Sequence, residues 1–289
     1  HQQQPSRHLA RLSQQAEGRR LNHTTPASSS RFNRSLVRPV FALAFPVAAS
    51  SQLDTLAGLA DVFLVRDLGA DAISAVGVSQ IVTMVIGVMM ISVSTGAFTM
   101  VAQAIGAGSP VEASATTKQA FTLVTLVSIA LSLIGIITSR FALEMLSMPP
   151  AIIELGTAYL RVFFAGLVFM TLNFTLSNCL YGAGETRIPL YLNGVMALLK
   201  IALSYLLIFG IGPFPELGVT GAALSTVISR AAGFLLGMVL LYNGRLPLCL
   251  LPGTSYFPDR ARAQRMLRIG IPSAMQGLFR NGSGVVFLK

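Results

Sequence analysis

AFPVAASSQLDTLAGLADVFLV, residues 44–65, is an apolar run that carries two carboxylates, Asp54 and Asp61. A spanning helix needs about 20 mostly apolar residues, and this run supplies them. A second run, ALLKIALSYLLIFG at residues 197–210, carries Lys200. An ionisable group at membrane depth costs roughly 2.5–3.5 kcal/mol on insertion scales, so such groups are kept where they pair, line a wet cavity or move ions. Asp54 and Asp61 are seven residues apart. Two helical turns therefore put them on nearly the same side, about 10 Å apart along the axis. A carboxylate drawn out of water favours its neutral form, which fits such a group to load and release a proton. Ser204 lies one turn beyond Lys200 on the same helix face. The lysine has three outlets: pairing with Asp61 or Asp54, a wet cavity, or snorkelling to an interface.

The rest of the chain has the same character. Hydrophobic residues make up 53% and charged residues 11%, where soluble domains average about 25% charged; mean hydropathy is +0.67. The expected fold class is an all-α polytopic membrane protein. No catalytic or metal-ligand pattern competes with that reading, so the chain is expected not to be an enzyme and to need no cofactor. His1, His8 and His23 all fall in the polar head, and Cys179 and Cys249 are too isolated to make a framework. The net charge of +10 invites a nucleic-acid reading. Against it, the arginines cluster in the head (Arg7 to Arg38) and at Arg260, Arg262, Arg265 and Arg268, both flanking apolar spans. That is the positive-inside pattern, and membrane lipid headgroups are the expected partner rather than nucleic acid.

Residues 1–34 are rich in Gln, Ser and Arg and are expected to form a disordered, basic cytosolic tail. The chain opens on His1, which points to a missing or processed start, and an organelle transit peptide is a second reading of the same head. Residues 35–245 read as a six-helix lobe, with spans at about 40–65, 72–104, between Lys118 and Arg140, between Arg161 and Glu185, 188–211 and 219–242. Residues 246–266 read as a loop, and a seventh span opens near Leu267. With the head inside, the inner loops hold Lys118, Arg187, Arg245 and the Arg260–Arg268 cluster. The outer arginines, Arg66, Arg140 and Arg161, are offset by acids. That bias puts the N-terminus in the cytoplasm and favours the plasma (inner) membrane, an organelle membrane being the alternative. The first and seventh spans also echo each other. LAFPVAASSQL and IGIPSAMQGLF place Pro46 and Pro272 in matching positions 226 residues apart. Repeated bundles are a common transporter architecture, and the echo implies one lobe followed by the opening of a second whose remainder lies outside this sequence.

Other polar groups stud the spans. Arg230 sits mid-span in the sixth, where contact with backbone carbonyls or helix ends is the plainest role. Asn173 and Asn178, with Thr171 and Thr175, read as interhelical hydrogen bonding or as cavity lining, and Gly233 with Gly237 reads as a packing pair.

Four stretches carry a family resemblance: residues 44–77, AFPVAASSQLDTLAGLADVFLVRDLGADAISAVG; 96–113, GAFTMVAQAIGAGSPVEA; 178–193, NCLYGAGETRIPLYLN; and 208–230, IFGIGPFPELGVTGAALSTVISR. In this order they resemble the multidrug and toxic compound extrusion (MATE) transporters. The resemblance implies twelve helices in two lobes around a cavity, and export of organic compounds by antiport against protons or sodium ions. It implies that Asp61 is the coupling acid, with Lys200, Ser204 and a sixth-span hydroxyl, Thr220 or Thr226, around it. Asp54 joins this coupling set, while Asn173, Asn178 and Arg230 are expected to face the substrate cavity. Pro46 matches the proline proposed as a hinge. The sequence departs from the family at Lys200, where relatives often have Asn, and at Ser204, where they have Asn or Asp. An ammonium there would fill a sodium ion's volume and repel the ion, which favours protons. The same positive groups leave a lipid-linked precursor flippase or an organic-anion exporter as the alternative reading.

Overall fold

A computed structural model describes residues 34–243, 246–251, 253, 256–257 and 259–286. The expected disordered tail, but for Arg34, and the three histidines lie outside the described residues. Eight helices lie among them: α1 (Arg34–Arg66), α2 (Ala70–Gly106), α3 (Pro110–Met145), α4 (Pro150–Ala165), α5 (Leu167–Gly182), α6 (Arg187–Phe209), α7 (Val219–Tyr242) and α8 (Arg260–Val286). No strand occurs among the described residues, as the all-α reading requires. The first turns of α1, through Ala42, form a unit of their own, and the bundle proper begins at Leu43. The six expected spans correspond to α1, α2, α3, the α4–α5 pair, α6 and α7. By length and composition α3, α6 and α7 can each cross a membrane alone, and α4 with α5 can cross as one span bent by 53°.

The bend was not legible in an unbroken apolar run. It falls at Gly166, where an added Cβ would lie 2.1 Å from Val227 Cγ2 of α7. Only a residue without a side chain lets the backbone pass α7 so closely at the bend. The fourth span therefore starts at Pro150, and Arg161 lies inside α4 rather than in a loop. At the end of α6, Gly210 takes a left-handed φ of 64°. It closes the helix in the manner glycine alone allows cheaply, and the N–H of Ile211 returns to the Leu206 carbonyl at 3.2 Å.

Lys118 moves too. Expected in an inner loop, it sits on α3, which starts at Pro110 with proline in the first turn, and its residue is 4% exposed. There it holds the segment between α7 and α8. Lys118 Nζ donates to the Leu251 carbonyl at 2.8 Å and lies 4.7 Å from the Tyr256 ring centroid. Ser114 Oγ accepts the Leu251 N–H at 2.9 Å, Thr122 Oγ1 donates to the Tyr256 carbonyl at 2.8 Å, and Gln119 Oε1 accepts the Asp259 N–H at 3.3 Å. The helix of the expected seventh span, α8, starts at Arg260 rather than near Leu267, because Asp259 caps it: its carboxylate accepts the Ala261 N–H at 3.2 Å.

Without water to drive apolar surfaces together, helices in lipid associate through close packing of small residues. The α2–α8 crossing is built this way. A Cβ on Gly270 would lie 1.7 Å from the Ser92 carbonyl oxygen, and one on Gly96 would lie 2.2 Å from that of Met266. On α7, a Cβ at Gly233 would strike Met196 Sδ of α6 at 2.0 Å, and one at Gly237 would strike Leu176 of α5 at 2.2 Å. Two apolar clusters result. One gathers Leu176, Leu180, Leu192, Met196, Leu241 and Met266; the other gathers Val65, Leu143, Leu160, Phe164, Ile208 and Ala222. Along α6, Lys200 and Ser204 fall between Met196 of the first cluster and Ile208 of the second. Apolar packing at either end thus leaves a polar level between.

Candidate functional site at the α1, α6 and α7 junction

Three helices supply the polar level. Asp61 on α1 is 6% exposed, and both carboxylate oxygens are engaged. Lys200 Nζ of α6 lies 2.7 Å from Oδ2, with side chains 16% and 9% exposed. Ser204 Oγ, one turn along α6, donates to Oδ1 at 2.9 Å. Ser204 Oγ also lies 2.6 Å from Ser225 Oγ of α7, either hydroxyl able to donate, and Ser225 Oγ is 2.9 Å from the Ala222 carbonyl. Of the outlets open to Lys200, the structure uses the partner on α1.

Asp54 faces a different partner. Its Oδ1 accepts Arg230 Nη2 of α7 at 2.9 Å, with side chains 28% exposed for the arginine and 43% for the acid. Arg230 thus meets a carboxylate rather than the carbonyls or helix ends expected of it. Between the two pairs lies a cavity of about 20 Å³ lined by Asp54, Lys200, Thr226, Ser229 and Arg230, with Ala57, Met196 and Ala197 as apolar wall. Such a volume holds about one water-sized group.

The other expected residues go elsewhere. Asn173 is buried on α5, its Nδ2 3.3 Å from Met196 Sδ, and Asn178 Nδ2 donates to the Phe174 carbonyl one turn back at 2.9 Å. Neither lines the cavity that Arg230 lines. Thr220 Oγ1 donates to the Leu217 carbonyl at 2.7 Å and Thr226 Oγ1 to the Ala222 carbonyl at 3.1 Å. The hydroxyl in the Asp61 chain is Ser225 instead. A signal for it existed: Gly221, Ser225, Ser229, Gly233 and Gly237 recur every four residues, one small stripe down α7. A Cβ on Gly221 would lie 2.7 Å from the Leu207 carbonyl, so the stripe faces α6. Pro46 is buried, and α1 runs helical through it. Among the described residues no cluster of His, Cys, Asp or Glu suits a metal ion.

Three helices and one bent pair long and apolar enough to cross a membrane, with ion pairs tied between neighbouring helices, define a polytopic integral membrane protein. Residues 46–206 match the MatE family model. The chain belongs to that family, the multidrug and toxic compound extrusion transporters. It is 30% identical to the probable multidrug resistance protein YoeA of Bacillus subtilis, over 80% of this chain and 50% of that protein. It is 29% identical to the FAD transporter of Shewanella oneidensis, over 80% of this chain and 51% of the relative. A solved MATE in complex with MaD3S superposes with a TM-score of 0.74 at 23% identity, covering 83% of this chain and 53% of its own, a likeness that shows the fold. An outward-facing multidrug resistance MATE transporter of the MOP superfamily gives 0.69 at 25% identity, covering 83% and 52%. The chain spans about half the length of the relatives it matches.

Proposed function

We propose that this chain is the first lobe, with the opening helix of the second, of a secondary antiporter that exports organic compounds in exchange for protons taken up at Asp61. It would lie in the plasma membrane with its N-terminus in the cytoplasm. The observation that carries the reading is the 2.7 Å pair between Lys200 and Asp61 in a nearly closed site. A proton arriving at Asp61 removes the charge that holds the ammonium, and Ser204 and Ser225 give it a partner. With Asp61 ionised, Ser225 donates to Ser204 and Ser204 to Asp61. With Asp61 protonated, the direction reverses, and the chain ends with Ser225 donating to the Ala222 carbonyl. Each state satisfies every hydroxyl, so the donor that the switch releases is the Lys200 ammonium alone. The released lysine repels a bound cation or attracts an anion, and α1 loses its ion pair to α6 while the Asp61–Ser204 hydrogen bond remains. A ligand shifts an equilibrium only by its differential affinity for the two states, and here the proton supplies it.

Sodium fits this lobe poorly. Both Asp61 oxygens are taken, and a tethered ammonium fills the place of a free cation. The test is Asp61→Asn in the full-length protein. Proton-driven export should collapse; undiminished export would remove Asp61 from the mechanism. Lys200→Asn should let sodium drive export where protons did.

A second reading, an anionic substrate or lipid-linked precursor, is favoured by two cations facing one cavity. The relative named FAD transporter moves in that direction too. Binding of organic cations against lipid-pyrophosphate analogues separates the two.

A further inference from the structure

The cavity between the two ion pairs raises a question that proton exchange at Asp61 does not answer. With both acids ionised, two positive and two negative groups balance around the site, Lys200 and Arg230 against Asp61 and Asp54. A proton on Asp61 breaks that balance. Lys200 is then an unpaired ammonium whose side chain is 16% exposed, and one cavity wall is its own. An uncompensated buried charge is the costly state of such a pair. Arg230 stands at the same cavity and spends one N–H on Asp54, of the five a guanidinium carries. Asp54 and Arg230 are the more exposed pair, so they form the mouth, with Lys200 at the floor.

We infer that this cavity is a binding site for a small monovalent carboxylate, which enters with the proton and occupies the lysine that Asp61 has released. The inference rests on Asp61 being the protonation site. One carboxylate oxygen fits the cavity beside Lys200, the other stays toward Arg230 at the mouth, the hydroxyls of Thr226 and Ser229 border the α7 side, and the Asp54 carboxylate, which also lines the cavity, limits the site to one negative charge. The size of the cavity restricts the ligand to a small headgroup. Charge fixes the sign of the linkage. Proton and anion each favour the other's binding, by the same factor in both directions. The anion is therefore a companion of the proton on its inward leg rather than an exchange partner for it.

The titratable groups facing the two acids are accounted for. Asp61 is faced by Lys200 from α6 and by Tyr159 from α4, and Asp54 by Arg230 from α7 and Tyr181 from α5.

The experiment uses the full-length protein in detergent and radiolabelled acetate. Acetate should bind about tenfold more tightly at pH 6 than at pH 8, which corresponds to an uptake averaging about half a proton per acetate over that range in weak buffer. Asp61→Asn should bind it equally at both pH values. Lys200→Met should abolish binding and Lys200→Arg should restore it. The double variant Asp61→Asn/Lys200→Met removes both charges together, folds where the single variant fails, and should not bind. Infrared difference spectra of the Asp61 carboxyl separate the two ideas. If that carboxyl does not titrate, both the proton reading and this one fall. If it titrates while acetate binds equally at both pH values, or binds the double variant, only the anion site is overturned.

Discussion

Two helix contacts in this bundle are made in opposite ways. Where α2 crosses α8, the meeting is backbone on backbone: Gly270 sits under the Ser92 carbonyl and Gly96 under that of Met266, with no room for one added carbon. Where α1 meets α6 and α7, Gly58 has nothing within 4 Å of its missing Cβ, and the helix is tied by Asp61 to Lys200 and by Asp54 to Arg230. Shape holds the first contact, and no change in protonation reaches it. Charge holds much of the second, which places titratable groups inside the contact.

The sharpest way to break this contrast is to remove one charge. Lys200→Met leaves Asp61 buried with Ser204 alone, a loss of about 3–5 kcal/mol for a broken buried pair. Thermal unfolding in micelles should show it, and Asp61→Asn/Lys200→Met should recover most of the loss. If the single variant is as stable as the parent, the pair does not hold α1. Next is Gly270→Ala, which forces two backbones apart and should cost about 1–3 kcal/mol, as overpacking does. Unfolding of the chain measures this too, and a neutral result would mean the α2–α8 crossing has slack. Ser225→Ala removes the end of the hydroxyl chain, with an expected cost of about 1 kcal/mol for one hydrogen bond. Its clearer sign is slower proton uptake in stopped-flow measurements with a pH dye. Asp54→Asn should be smallest, under about 1 kcal/mol, since exposed pairs contribute little. A large loss of stability there would erase the distinction between the two pairs.

Much of this was legible in the sequence because burying charge is expensive. Asp54, Asp61 and Lys200 stand out of apolar runs, and the seven-residue spacing puts the acids on one side. Which cation each acid takes was not legible, since that depends on how α6 and α7 rotate about their own axes. Ser225 was within reach, two steps back along the four-residue rhythm that the Gly233 and Gly237 pair begins. The close contact at the Gly166 bend was hidden because its partner, Val227, is 61 residues away. Lys118 misled for a simpler reason. A lone charge before an apolar run reads as the edge of a loop, while its real task is to receive backbone carbonyl and aromatic ring from the far side of α7.

That task has a practical consequence. Both ends of the connecting segment are fastened to α3, Leu251 through Lys118 and Ser114, and Asp259 through Gln119. A cut in the peptide between them leaves each stump stapled to the same helix. A gene severed there and expressed as two pieces should therefore give fragments that copurify, and Lys118→Met should weaken that recovery.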